Sequence, residues 1–327
     1  MSLHPQVASL RARLVAAGSR PLYTLGIDEA RAADLAAARS AGGEPEPVAL
    51  VVDDEFPGPA GSLPVRFYRP RTDDVPLPVL CYFYGGGWVL GSIDTCDAIC
   101  RSLANATGCL VAAPGYRLAP EHKCPAAVED CCAAVRWLAE HAVRHGGDAG
   151  RLAVGGDSAG GNLASVVSLH ARDHGGPPIA AQLLVYPNTD HLADTASLRE
   201  NSDEVFFNHR SVDWYWRHYL ADPAQGREPY VSPLRADSLR GLPPALVITA
   251  EYDPLRDEGE SYARRLAAEG VAARLSRYDG MIHGFFGMRG VLDPAADALE
   301  EAAAFLREHL APPAPQQDGA SAVEASA

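Results

Sequence analysis

The stretch Arg151-Leu152-Ala153-Val154-Gly155-Gly156-Asp157-Ser158-Ala159-Gly160-Gly161-Asn162-Leu163 decides the fold. Leu152 to Gly155 reads as a short buried strand. From Asn162 onward the pattern is helical, apolar at Leu163, Val166, Val167 and Leu169, and it stops at Gly175-Gly176. Between the two lies a Gly-x-Ser-x-Gly pattern, residues 156–160. A strand that turns straight into a helix forces the central serine into a strained backbone conformation. Glycine two residues to either side lets the neighbouring elements approach without a Cβ clash. The serine hydroxyl then stands clear of the backbone, with the unpaired N–H groups of a helix N-terminus beneath it. A plain Gly-rich turn would also satisfy the five-residue pattern, but a strand before it and a helix after it point to a nucleophile.

Working outward, strands and helices alternate. Upstream, Val79–Tyr84 is an apolar, β-prone run that ends in Gly85-Gly86-Gly87-Trp88; Asp97–Thr107 reads as a helix, Cys109–Ala113 as a strand and Ala126–His145 as an amphipathic helix. Downstream come strands at Gln182–Tyr186, Ala245–Ala250 and Ala272–Tyr278, with helices at Glu258–Glu269 and Pro294–Leu310. Val48–Val52 and Val65–Tyr68 form a leading strand pair joined through Pro57-Gly58-Pro59. The pattern predicts an α/β protein: a mainly parallel eight-stranded sheet, covered by helices on both faces, with an antiparallel edge. In such sheets the active site lies beyond the C-terminal strand ends. Tyr84, Ser158, Tyr186 and Asp253 all fall at or just past such ends.

Three segments depart from the alternation. Residues 1–45 are Ala/Arg/Leu-rich, with helical segments at Val7–Ala17 and Ile27–Ala41, and are expected to cap the domain. The catalytic domain is expected over 46–310. Within it, residues 188–225 carry no strand pattern but hold Phe206, Phe207, Trp214, Tyr215, Trp216 and Tyr219, which suits a second part of a lid over an apolar pocket. An ordinary packed helix would explain any one of these aromatics equally well. Residues 311–327, rich in Ala, Pro, Gln and Ser, read as a disordered tail.

A serine hydroxyl needs a base to take its proton, usually a histidine oriented by a carboxylate. After an elbow of this kind the chain order is serine, acid, histidine. His283 follows the last strand in a loop with glycines on both sides and is well placed to reach Ser158. The acid should follow the strand Ala245–Ala250, where Glu251, Asp253 and Asp257 are available. Asp253, just past the strand end with Pro254 fixing the turn, is preferred. Asp257 reads as a first-turn residue of the next helix. Donors to a developing oxyanion are available from the N–H groups of Ala159, Gly86 and Gly87. Substrate contacts are expected from Trp88 and the 200–220 aromatics, Phe206 and Trp214 among them, with Phe285 beside His283. Tyr84 either braces the Gly85–Gly87 loop through its hydroxyl or points into the pocket.

These stretches together resemble the bacterial hormone-sensitive-lipase family of α/β-hydrolase carboxylesterases over roughly residues 48–310. The shared runs are Gly85-Gly86-Gly87-Trp88, Tyr116-Arg117-Leu118-Ala119-Pro120-Glu121-His122, Pro125-Ala126-Ala127-Val128-Glu129-Asp130, Gly156 to Asn162, Asp253-Pro254-Leu255-Arg256-Asp257-Glu258-Gly259 and His283-Gly284-Phe285. The resemblance implies Ser158 as nucleophile, Asp253 as acid, His283 as base, and Gly86, Gly87 and Ala159 as oxyanion donors. It also implies a cap built from the N-terminal helices and part of 188–225, activity on small short-acyl esters, and a frequent tendency to homodimers. Where the family normally has His-Gly-Gly-Gly, this chain has Tyr84-Gly85-Gly86-Gly87.

Composition bounds the alternatives. The net charge of −14 argues against a nucleic-acid or anionic-membrane surface, and Lys123 is the only lysine, which removes Schiff-base chemistry and a P-loop. Seven cysteines crowd into residues 81–132 without a Cys-x-x-Cys pair, as expected of free buried thiols in a reducing cytoplasm rather than of zinc ligands or disulfides. No basic and apolar leader opens the chain and no window approaches a membrane span, so a cytoplasmic protein is expected. The chemistry requires neither metal nor organic cofactor. The rival readings are a small-molecule receptor on the same fold that has lost catalysis, and a deacetylase, lactonase or amidase acting on a natural product.

Overall fold

A computed structural model describes residues 2–312; the expected tail lies outside the described residues from 313 onward. Two helices lead, α1 (Pro5–Ala16) and α2 (Ile27–Gly42), followed by the hairpin β1 (Leu50–Gly58) and β2 (Gly61–Arg69). The core then runs β3 (Leu77–Phe83), α3 (Asp97–Thr107), β4 (Leu110–Pro114), α4 (Ala126–His141), β5 (Gly147–Asp157), α5 (Ala159–His174) and β6 (Ala181–Val185). The insertion holds α6 (Ala196–Glu200) and α7 (His209–Tyr219). The chain closes with β7 (Ala245–Tyr252), α8 (Arg256–Ala268), β8 (Ala273–Ile282) and α9 (Pro294–His309). Among the described residues no helix is long and apolar enough to cross a membrane.

The eight strands form one sheet in the order β1-β2-β4-β3-β5-β6-β7-β8. β1 pairs with β2, and β2 with β4, antiparallel; every other neighbour is parallel. Right-handed crossovers put α3, packed on α9, on one face and α4, packed on α5, on the other. The central strands are buried on both faces except at Pro78 of β3, which is why their sequences read as continuous apolar runs rather than alternating ones.

Three boundaries differ from the sequence reading, each for a tertiary reason. α5 begins at Ala159, not Asn162. Gly160 and Gly161 are poor helix formers, yet a Cβ on Gly160 would sit 1.9 Å from the carbonyl oxygen of Phe83, so close packing of α5 against β3 selects glycine there. The helix expected over 126–145 ends at His141 and finishes as a 3-10 turn, Ala142–His145. β8 runs on to Ile282, past a register slip opposite Ala250/Tyr252, which delivers His283 at the strand's very end.

Candidate active site

Ser158 sits at the tip of β5 with φ 54° and ψ −119°, a region that non-glycine residues avoid. The surroundings hold it there: its N–H donates to the carbonyl of Val185 on the neighbouring strand (2.8 Å), and its own carbonyl accepts from Asn162 in the first turn of α5 (3.0 Å). His283, just past β8, places Nε2 2.9 Å from Ser158 Oγ and Nδ1 2.7 Å from Asp253 Oδ2. Asp253 is fully buried just past β7, and its other oxygen accepts from Leu255 N–H at 2.8 Å. The three residues come from three parallel strand ends separated by 95 and 30 positions in sequence, yet form one hydrogen-bonded line.

The two other candidate acids point elsewhere. Asp257 accepts from Ser197 N–H (2.8 Å) and pairs with Arg256, tying α8 to the insertion. Glu251 accepts from Gly280 N–H (2.7 Å) and so pins the bulge that precedes His283.

His283 is clamped between rings, stacked on Phe207 at 4.1 Å and tilted against Tyr186 at 4.6 Å. Phe285 is fully buried against Tyr186 and Tyr278, propping the histidine loop from behind.

Facing the serine is the loop after β3, where Gly86, Gly87 and Trp88 all have positive φ (108°, 59° and 61°). Gly86 accepts from the N–H groups of Val89 and Leu90, which curls the loop. Gly85 N–H is used up on Asp157 (3.2 Å), whose same oxygen also accepts from Tyr82 (2.9 Å). Burial pushes the Asp157 carboxyl up, against those hydrogen bonds. Ala159, as the first residue of α5, has an N–H with no helical acceptor. Gly87 is close-packed as well: a Cβ there would meet the ring of Tyr215, on α7, at 2.1 Å.

A cavity of about 610 Å³ adjoins this centre. Gly85, Gly86, Asp157, Tyr186 and Gly284 form its inner end; α1 and α2 supply much of the remaining wall, including Leu10, Arg13, Leu14, Asp34 and Ala37. Burial, with the charge of Asp157 behind it, pushes the Asp34 carboxyl up to about 6.

Of the expected substrate contacts, Tyr84 reaches the cavity wall. Its hydroxyl, however, donates to the carbonyl of Tyr116 (3.4 Å) and accepts from the Tyr116 N–H (3.3 Å), the two rings being stacked at 4.2 Å. Trp88 needs correction. Its positive φ turns the side chain away from the cavity, and the indole lies fully buried, stacked on Tyr219 at 4.2 Å and against Trp216 at 4.5 Å. Phe206, Trp214 and Phe285 are likewise absent from the cavity wall. In the insertion it is Phe207, one residue on from Phe206, that meets the histidine. Sequence reasoning also passed over Asp34, because charges on an Ala-rich helix read as a solvated face.

Parallel strands with a Ser–His–Asp line at their C-terminal ends define an α/β-hydrolase. The profile of a family described as the alpha/beta hydrolase fold matches residues 80–287. The chain is 46% identical over 266 residues to the carboxylic ester hydrolase LipN of Mycobacterium tuberculosis, covering 80% of this chain and 70% of that one. It is 37% identical over 321 residues to an ethyl acetate hydrolase of Pseudomonas putida, covering 95% of this chain and all of the relative. Among solved structures, a hyperthermophilic esterase from the archaeon Pyrobaculum calidifontis superposes with a TM-score of 0.89 at 41% identity, over 94% of this chain and 99% of that one. The chain belongs to the hormone-sensitive-lipase family of α/β-hydrolase carboxylesterases, and it is a carboxylic ester hydrolase.

Proposed function

We propose that the protein hydrolyses small esters with short- to medium-length uncharged acyl groups, through a Ser158–His283–Asp253 triad and an acyl-enzyme. The observation that carries this reading is the continuous hydrogen-bonded line from Ser158 Oγ through His283 to the buried Asp253 carboxylate.

In the first step His283 Nε2 takes the Ser158 proton as Oγ attacks the ester carbonyl. Asp253, accepting from Nδ1, holds the tautomer that leaves Nε2 free to accept and stabilises the imidazolium that forms. The carbonyl oxygen becomes an oxyanion facing the N–H groups of Gly86, Gly87 and Ala159, donors already fixed by a curled loop and a helix start. The C–O bond to the alcohol breaks as His283 returns the proton to the leaving oxygen. Water repeats the sequence on the acyl-enzyme and releases the acid.

The N-terminal helices and the 188–225 insertion act as the cap over this site. Support comes from their residues in the cavity wall and against His283 and Gly87. The mostly apolar wall favours apolar groups, while Asp34 and Asp157 at the inner end outweigh the single cation Arg13 and disfavour anionic ones. Pre-steady-state hydrolysis of p-nitrophenyl butyrate tests the reading. A burst of p-nitrophenol is expected from the native enzyme and none from Ser158→Ala; equal bursts from both would overturn it.

A further inference from the structure

The oxyanion loop holds an unfavourable shape, and its fastening comes partly from outside the hydrolase sheet. Trp88 at φ 61° is not a conformation that an L-residue keeps unaided. The carbonyl of Trp88 accepts from Ala119 N–H (2.9 Å), so the segment around Ala119 forms the loop's outer wall. Across that seam lies Arg31, from α2. Its Nε donates to the carbonyl of Val89 (3.0 Å) and its Nη2 to the carbonyl of Ala119 (3.1 Å). The same guanidinium grips both oxygens of Glu121, at 2.8 and 2.7 Å.

One planar fork thus staples two chain segments, 58 and 88–90 positions away, that must stay together for Gly86 and Gly87 to keep their aim. Three residues further along the same helix, Asp34 lines the cavity wall beside Gly85 and Gly86. The contact with Arg31 in turn holds the Glu121 carboxyl down at about 2, so the pair stays charged across the working pH range.

We propose that Arg31 is a positioning residue for the oxyanion loop, coupling the docked N-terminal helix to the aim of the Gly86 and Gly87 N–H groups. The proposal rests on the esterase reading above. It makes the N-terminal helices part of the catalytic rate and not only of substrate choice. Arg31 touches no reacting atom; it acts through the backbone carbonyls it binds. Lysine in its place would supply one charge but not the fork, so it would satisfy Glu121 and lose at least one carbonyl.

The test compares Arg31→Ala, Arg31→Lys and Glu121→Gln with the native enzyme on p-nitrophenyl butyrate, well below each melting temperature. Inhibition by an aryl trifluoromethyl ketone, whose serine adduct carries an oxyanion, is measured beside inhibition by butyramide, whose carbonyl oxygen is neutral. A displaced donor weakens the transition state more than the ground state. Arg31→Ala is therefore expected to lose tenfold to a hundredfold in kcat, with KM changed less than about threefold and ketone affinity falling in parallel with kcat/KM. Butyramide inhibition is expected to change less than about threefold. Arg31→Lys should fall between native and Arg31→Ala, and Glu121→Gln, which keeps both carbonyl contacts, should lie near native.

Native kcat and ketone affinity in Arg31→Ala would overturn the proposal, as would a kcat loss without any loss of ketone affinity. If Arg31→Ala fails to fold, Arg31→Lys decides by the same two readouts: a native-like Arg31→Lys overturns the proposal. Failure of the native enzyme to release p-nitrophenol above the Ser158→Ala background would instead defeat the esterase reading itself, so the two failures are distinguishable.

Discussion

The nucleophile elbow and the substrate cavity lie side by side and are built on opposite principles. The elbow is local: β5, Ser158 and α5 are consecutive, and their strain is held by a few backbone contacts to β3 and β6. The cavity is assembled from segments that never meet in sequence, α1 and α2 at one end of the chain and Gly284 to Val291 near the other. On the proposed function, chemistry therefore resides where the chain has little freedom. Selectivity then resides where loosely specified helices lean over a rigid sheet, a division common to folds that carry many activities.

The sharpest way to break this comparison is at the triad. Ser158→Ala and His283→Ala are each expected to lower kcat by roughly 10⁴-fold or more, with the double variant little worse, because the groups act as one unit. Additive losses in single-turnover kinetics would show that they do not.

The next effect separates the carboxylates at the strand end. Asp253→Asn should cost up to about 10⁴-fold by presenting a donor to Nδ1 and so favouring the wrong tautomer. Asp257→Asn, whose partners are Ser197 and Arg256, should cost less than about tenfold in kcat and lower the melting temperature instead. The reverse order would move the acid to α8.

A smaller and pH-dependent effect belongs to the cavity. Butyryl esters should be turned over roughly tenfold or more faster than succinyl esters at pH 8, where Asp34 and Asp157 both confront the extra carboxylate. Asp34 has its carboxyl raised to about 6, so its charge is fully present above that pH and is lost as pH falls through it. The succinyl carboxylate stays ionised there. The butyryl-to-succinyl ratio of kcat/KM, in which ionisations common to both substrates cancel, should therefore narrow below pH 6 and be smaller and less pH-dependent in Asp34→Asn. A ratio of one at pH 8 would remove the cavity from the acyl side of the reaction.

The smallest effect is expected at Tyr84→Phe, below about tenfold in kcat. Its hydroxyl is spent on the Tyr116 backbone, and one neutral hydrogen bond contributes only about 1 kcal/mol. A loss above a hundredfold at unchanged melting temperature would make the hydroxyl an oxyanion donor instead.

Legibility followed the same division. Asp253 and His283 could be picked out because strand ends and Gly-flanked loops advertise themselves within a few residues. Phe207, which stacks on His283, was not singled out from Phe206 because the run before α7 has no period that assigns one of two adjacent aromatics to the histidine. Trp88 was misread because nothing local announces that a tryptophan after three glycines adopts a positive φ and turns its ring into the insertion's aromatic stack. The contacts of Arg31 with Val89 and Ala119, and the place of Asp34 in the cavity wall, were invisible. Each residue sits on an Ala-rich helix whose charges look solvated until that helix is docked.

From the sequence alone came the α/β sheet with its antiparallel edge, the elbow at Ser158 and the three strand ends that carry the Ser–His–Asp line. Hydrophobic runs, turn residues and strand-to-helix order are short-range properties, and they constrain short-range structure. Only the tertiary structure decided which face of α2 meets the loop after β3, which aromatic clamps His283 and which carboxylates look into the cavity. Those choices depend on the docking angles of segments up to hundreds of residues apart. Docking is settled by shape and buried contacts that no local pattern encodes.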